Sequence, residues 1–257
     1  MTFPYRRVFN QVEETLIQYG SRLLSPQQIR AELNAYKAFA GRELTDDCFF
    51  QILLYVVFYS GFRAATVTAR KDAINYWFPN WRTVCAFGDD EVTAIMSDPA
   101  MIRNRRKINA CIENARVMRQ LIEEYGSIAA YIASFAPVDS FENLLLLKEE
   151  LEARFQFLGG VTVYHFLTDI GMPVLKPDRV ICRIFNRLGL TETEGQLLKT
   201  VLQGRKFAEA TGLPIRYIDI VFVAYGQARS MEFGIDRGIC LKNPRCNECG
   251  VKEFCRW

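Results

Sequence analysis

The sequence predicts an all-α protein, and three observations carry that expectation. Apolar residues recur at three- and four-residue steps through most of the chain. Helix start and stop signals bracket these runs. No series of alternating strands with hairpin turns interrupts them. The run RRKINACIENARVMRQLIEEYG is the clearest case. Its Ile108, Cys111, Ile112, Ala115, Met118 and Ile122 form one apolar face.

The other elements follow in order. SPQQIRAELNAYKAFAG reads as a capped helix, with Ser25 as N-cap, Pro26 in the first position and Gly41 past the end. TDDCFFQILLYVVFYSG is apolar nearly all round and predicts a central buried helix; its Tyr, Val and Phe content leaves a buried strand as the alternative. SFENLLLLKEELEARF and YIDIVFVAYGQARSM are helical. A chain of 257 residues allows one large domain or two small ones, with a core that needs no covalent staples. The expected organisation is an N-terminal helical segment, 1–40, packing on the C-terminal lobe; a helical lobe, 41–175; and C-terminal helices, 176–257, ending in a cysteine-rich loop at 238–257.

Composition excludes some classes. No run of about 20 apolar residues is present, so no membrane partner is expected. The first twenty residues carry no apolar stretch followed by a small-residue cleavage site, and the expected location is cytoplasmic. Cysteines in such a compartment stay reduced. Cys48, Cys85, Cys111 and Cys182 are scattered and suit buried free thiols. A net charge of +3 is too small to define a partner, so the distribution of charge matters more.

Three segments carry chemistry. In FQFLGGVTVYHFLTDIG, Gly159 and Gly160 join two helices by a very short turn, within a hairpin spanning about 150–171. Paired glycines permit positive φ and close approach of another backbone. The amides at the start of the next helix can then bind a phosphate, which grips a nucleic-acid backbone without reading sequence. A helix connection without a ligand is the alternative. In KPDRVICRIF, Asp178 opens a helix and can serve as its N-cap. It can also stabilise a developing cation, and the two jobs are compatible. In GICLKNPRCNECGVKEFC, Cys240, Cys246, Cys249 and Cys255 are spaced C-x5-C-x2-C-x5-C, which predicts a metal site. Four thiolates suit a [4Fe–4S] cluster or zinc; the single close pair, with the outer two standing alone, fits a cubane better.

Hairpin, aspartate and cysteine tail, in this order, resemble the helix-hairpin-helix (HhH-GPD) superfamily of DNA glycosylases. DDEVTAIMSDPAMIRNRRKINACIENARVM and FQFLGGVTVYHF are similar to the 3-methyladenine DNA glycosylase I branch. The tail resembles the iron–sulfur loop of the endonuclease III branch, whose first gap holds six residues where this chain has five. The resemblance covers roughly residues 45 to 257 and implies a two-lobed helical fold. It implies hydrolysis of the N-glycosidic bond of a damaged base, an alkylated purine such as 3-methyladenine, in double-stranded DNA, by a monomer. Asp178 takes the place of the catalytic aspartate. Where the endonuclease III branch has its Schiff-base lysine, this chain has Tyr164, so lyase chemistry by that route is not expected. The methyladenine branch's pocket glutamate falls near Val56 here, and its zinc site is missing, His165 being the sole histidine.

The remaining site expectations rest on residue chemistry. A pocket for an everted cationic base should be aromatic, and Phe58, Tyr59, Phe62, Tyr164 and His165 are candidates. Gly159, Gly160, Thr162, Lys176, Arg103, Arg105 and Arg106 are candidate phosphate contacts, as are Lys242 and Arg245 with Lys252 and Arg256 in the tail. Three alternatives stay open: an endonuclease III-like glycosylase and AP lyase for oxidised pyrimidines, a non-catalytic DNA-damage binding module, and an iron–sulfur electron carrier.

Overall fold

The computed structural model describes residues 3–37 and 44–257. Fourteen α-helices lie among them: α1 (Tyr5–Gly20), α2 (Pro26–Lys37), α3 (Asp46–Tyr59), α4 (Ala64–Thr68), α5 (Lys71–Trp77), α6 (Trp81–Val84) and α7 (Asp89–Ser97), then α8 (Arg105–Tyr125), α9 (Ile128–Ala133), α10 (Phe141–Arg154), α11 (Val161–Asp169), α12 (Arg179–Arg187), α13 (Leu197–Thr211) and α14 (Ile215–Gly226). The only extended pairing among the described residues is one bridge between Ser230 and Ile235. The predicted all-α class is therefore observed. No described helix is long and apolar enough to cross a membrane.

The chain divides into two compact units, one of Met1–Ala40 with Pro173–Trp257 and one of Gly41–Met172. The expected second boundary, at 175, lies three residues late. Leu175 is wholly buried in the first unit's core and lies against Gly204 of α13, where even a Cβ would meet its side chain at 1.6 Å. That close approach ties Pro173–Leu175 to α13.

In the first unit, α1 packs along α13 and α14. Val8, Phe9, Val12 and Leu16 recur at three- and four-residue steps and are fully buried. Phe9, Phe185, Phe207 and Phe222 meet at centroid distances of 4.9–5.8 Å, in edge-to-face and tilted pairs. Such pairs add about 0.5–1.5 kcal/mol each beyond burial. α2 starts as expected: Ser25 Oγ accepts from Gln28 N–H, and Gln28 Oε1 accepts from Ser25 N–H in return. Gly41, its expected stop, lies outside the described residues.

In the second unit, α3 is a helix, so the strand alternative for that segment is excluded. Thr45 caps it by accepting from Cys48 N–H. Phe49, Phe50, Leu53, Leu54, Val56, Val57 and Phe58 bury its inner face against α6, α8, α9 and α11. Asn104 caps α8, accepting from Lys107 N–H. α10 and α11 form the predicted hairpin pair.

Candidate functional site

The hairpin loop owes its shape to its glycines. Gly160 sits at φ +59° and ψ −115°, which side-chain-bearing residues rarely adopt. Phe157 also has positive φ, at +65°, an uncommon conformation for an aromatic residue. The loop is held from α8 by buried Asn114. Its Nδ2 donates to Gln156 O at 3.1 Å, and its Oδ1 accepts from Gln156 N–H at 2.7 Å.

The amides expected to face a phosphate are engaged internally. Gly159 N–H donates to Thr162 Oγ1 at 2.8 Å, and Gly160 N–H donates to Glu152 Oε1 at 3.0 Å. Thr162 Oγ1 in turn reaches Phe157 O and Gly159 O, both at 2.7 Å. Glu152 Oε2 accepts from Lys148 Nζ at 2.6 Å. At Gly159 and Gly160 the donors are therefore satisfied within the hairpin, Gly160 by the Glu152 carboxylate. An open cavity of about 540 Å3 borders this loop, lined by Ser60, Arg106, Glu152, Phe157, Gly159 and Thr162.

Of the basic run, Arg103, Arg105 and Arg106 are exposed, and Arg106 stacks over Phe157 at 5.4 Å. Lys107 differs. It is buried, and its Nζ donates to Val57 O and Ser60 O, satisfying carbonyls at the C-terminal end of α3. Burial pushes its pKa down to about 8, with Cys111 opposing and Arg106 adding. Lys107 is therefore no phosphate contact. Its ammonium lies between the rings of Phe157, at 4.6 Å, and Phe62, at 5.4 Å.

The aromatic candidates part ways. Phe62 is exposed and Tyr59 half-buried, its hydroxyl 3.3 Å from Thr68 Oγ1. Tyr164 is 4% exposed, and burial raises its pKa. His165 Nε2 is 3.1 Å from Asp169 Oδ2, one turn along α11. Phe58 is a correction: it is a core side chain with no exposure, its ring 5.8 Å from that of Phe78.

Asp178 is the N-cap of α12. Its Oδ1 accepts from Val180 N–H at 2.8 Å and Ile181 N–H at 3.0 Å. No hydrogen bond among the described residues engages Oδ2. The side chain is half-buried. One carboxylate oxygen thus fixes the helix start while the other stays uncommitted. Lys176, two residues earlier, is half-buried, and its N–H is held by Asp219 of α14.

The far end of α12 holds the cysteine loop. Arg183 Nε and Nη2 donate to Cys240 O at 3.1 and 3.0 Å, and Nη2 also reaches Gly226 O at 2.8 Å. Arg187 is buried; its Nη1 donates to Leu241 O at 2.7 Å and Cys240 Sγ at 3.3 Å, and its Nη2 to Lys242 O at 2.9 Å. Tyr225 Oη donates to Cys249 Sγ at 3.2 Å. Cys240, Cys246, Cys249 and Cys255 are all free thiols, each half-buried. Among the described residues, no three His, Cys, Asp or Glu side chains converge as ligands of one metal ion. Lys242 is exposed, whereas Arg245 is an internal strut. Arg245 donates to the Tyr19 hydroxyl, to Arg237 O at 3.2 Å and to Glu248 Oε1 at 2.5 Å, which corrects its assignment as a phosphate contact.

Sequence reasoning missed Lys107, Asn114, Glu152, Arg183, Arg187 and Asp219. Two left a signal. Asp219 is a lone carboxylate within the apolar run YIDIVFVAYG, and Arg183 and Arg187 recur at helical spacing between apolar neighbours.

An all-α chain with a glycine hairpin between α10 and α11, and an aspartate capping α12, the next helix in the chain, has the makeup of a helical DNA glycosylase. A family model described as methyladenine glycosylase matches residues 36–178, more than half of the chain, and the chain belongs to that family. It is a DNA N-glycosylase. Among solved structures, the 8-oxoguanine glycosylase/lyase of Methanocaldococcus jannaschii, in complex with a 15mer DNA containing 8-oxoguanine, is similar at 15% identity, over 85% of this chain and 96% of that one, with a TM-score of 0.52. That likeness shows the fold. The 8-oxoguanine DNA glycosylase of Thermotoga maritima is similar at 17% identity, over 82% and 96%, with a TM-score of 0.49. The 3-methyladenine DNA glycosylase I of Staphylococcus aureus is similar at 22% identity, over 54% and 84%, with a TM-score of 0.45.

Proposed function

We propose that this glycosylase removes an alkylated purine, 3-methyladenine being the type case, from duplex DNA. It acts as a monofunctional hydrolase and a monomer, in the cytoplasm, where its unpaired cysteines suit a reducing milieu. The observation that carries this reading is the split carboxylate of Asp178, anchored to two amides through Oδ1 and uncommitted at Oδ2.

The chemistry follows from the lesion. An alkylated purine is cationic, so its glycosidic bond is already weakened and needs no strong general acid. Everting the nucleotide costs a few kcal/mol. As the base departs, positive charge develops on the sugar; Asp178 stabilises it and orients the attacking water. Tyr59, Phe62, Tyr164 and His165 are the proposed walls for the base, and a cation over an aromatic face gains about 0.5–2 kcal/mol. Arg103, Arg105, Arg106, Lys176 and Lys242 are the proposed phosphate contacts, joined by the Gly159, Gly160 and Thr162 loop once DNA displaces Glu152. The monofunctional assignment has support from Lys107, whose depressed pKa would suit a Schiff-base amine but whose ammonium is spent on two carbonyls.

The same proposal gives the tail a [4Fe–4S] cluster held by Cys240, Cys246, Cys249 and Cys255. The chemistry of the donors supports it: four unbridged thiols, with Arg187 and Tyr225 donating to two of the sulfurs, contacts that favour thiolates. When bound, the cluster supplies a structural cross-link. Iron and zinc analysis separates it from the zinc alternative, and a colourless protein with stoichiometric zinc rejects it.

The test is base release from oligonucleotides carrying alkylated, oxidised, deaminated or mismatched bases, with a nicking assay on an abasic duplex. Release is expected from the 3-methyladenine duplex, without efficient nicking. Release confined to oxidised pyrimidines, with β-elimination, overturns the proposal.

A further inference from the structure

Asp219 is the one carboxylate of α14, in the apolar run YIDIVFVAYG, and only 2% of it is exposed. A charge so placed is costly unless it is paired and hydrogen-bonded. Both oxygens are committed. Oδ2 accepts from Arg216 Nη1 at 2.8 Å, and Oδ1 accepts from Lys176 N–H at 3.3 Å. The second contact leads to the reacting group. The carbonyl of the same Lys176 accepts from Asp178 N–H at 2.8 Å, closing a tight turn over Pro177. Pro177 limits φ within that turn, and its carbonyl accepts from the Cys182 thiol at 3.2 Å. Asp219 thus pins the residue on which the Asp178 backbone rests.

We propose that Asp219 is the positioning residue of Asp178, fixing the Lys176–Asp178 turn and setting the electric field at its carboxylate. This rests on Asp178 being the catalytic carboxylate. Three charged groups act on Asp219: Arg216 from its own helix, and Lys176 and Asp178 from the segment leading into α12. Burial pushes the Asp219 pKa up to about 7; Arg216 opposes, the Asp178 charge adds to the rise, and Lys176 opposes. Above that pH Asp219 contributes a second negative charge beside the developing sugar cation. Below it Asp219 is neutral yet still accepts from Lys176 N–H. A purely structural acceptor would have no such pH dependence.

The experiment compares wild type, Asp178→Asn, Asp219→Ala and Asp219→Asn. Single-turnover release of methylated purine from methylated duplex DNA is followed from pH 5.5 to 8.5, with affinity for the same DNA and circular dichroism. Misplacing a catalytic group by about 1 Å costs on the order of 10²-fold. Asp219→Ala should therefore slow release by about 10- to 100-fold while affinity stays within about twofold. Asp219→Asn keeps the acceptor, so its rate should stay near that of wild type below pH 7. The rise in rate through pH 7 shown by wild type should be absent from it. If Asp219→Ala does not fold, the Asp219→Asn profile alone decides. A wild-type pH profile in Asp219→Asn, or a folded Asp219→Ala at wild-type rate, overturns the assignment while leaving Asp178 in place. Undiminished release by Asp178→Asn overturns both.

Discussion

In the proposed reaction Asp178 has two separable jobs, capping α12 and stabilising the sugar cation, and one substitution divides them. Asn is as good an N-cap as Asp, so Asp178→Asn can still accept from Val180 and Ile181 N–H through its side-chain oxygen. Stability should change by only a few tenths of a kcal/mol. The charge, however, is gone. Two unit charges about 4 Å apart interact by about 4 kcal/mol at an effective dielectric of 20. At about 1.4 kcal/mol per decade this is a loss near 10³-fold in the chemical step. Asp178→Ala loses the charge and the cap together. It should be as slow as Asp178→Asn and about 1 kcal/mol less stable, which lowers Tm by roughly 2–4 °C in a chain of this size. The assay is single-turnover base release, paired with thermal melts and binding to the same duplex. If Asp178→Asn excises within threefold of wild type while Asp178→Ala melts lower, Asp178 is a cap only and the mechanism is wrong.

Three further outcomes are expected. Glu152→Gln removes the negative charge beside the Gly160 amide but keeps an acceptor for it; affinity for undamaged duplex at low salt should rise several-fold, and no change by fluorescence anisotropy would show that the carboxylate does not compete with phosphate. Arg187→Met strips donors from Cys240 Sγ, Leu241 O and Lys242 O; at about 1.5–3 kcal/mol per charged hydrogen bond lost, Tm should fall, and the content of the proposed cluster per chain should fall with it; an unchanged Tm would contradict the tail's dependence on α12. Lys107 has a folded pKa of about 8, below its unfolded value, so between pH 8 and 10.5 the unfolded state binds more protons and stability rises with pH, by up to about 1.4 kcal/mol per unit; urea unfolding should show that slope in wild type and lose it in Lys107→Met.

What the sequence disclosed follows from the range of the interactions. The helix class, the Ser25 cap and the hairpin between α10 and α11 depend on residues within a few positions of one another, so periodicity and punctuation reveal them. The α3 segment allowed a strand because an all-round apolar run has no phase; packing on several sides selects the helix. Phe58, Arg245 and the hairpin amides were misjudged, and Lys107 was missed, for one reason. Their partners are remote in sequence or depend on a rotamer, as when Lys107 reaches back about fifty positions to Val57. A basic residue in a basic run looks like a phosphate contact until a buried carbonyl claims it. Glu152 was invisible because nothing in a charged helix face distinguishes the carboxylate that bends into a loop.

The placement of α12 bears on what the tail does. A nine-residue helix is about 13.5 Å long. Its N-terminus carries Asp178, and its last two turns carry Arg183 and Arg187, which together hold Gly226 O, Cys240 O, Leu241 O and Lys242 O. Arg256 N–H closes the arrangement on Arg187 O at 2.7 Å, and the Trp257 ring covers the Arg187 guanidinium at 4.2 Å. Four tail backbone groups and one stacked ring therefore bind the tail to the helix that Asp178 begins. Loosening the tail frees two buried or half-buried guanidinium groups at the helix end and takes rigidity from a short helix that has little of its own. A loop built this way serves as a brace for α12. An electron carrier would need none of these contacts to be aimed at the helix that Asp178 begins, and that is why the bracing role is the reading the arginines favour.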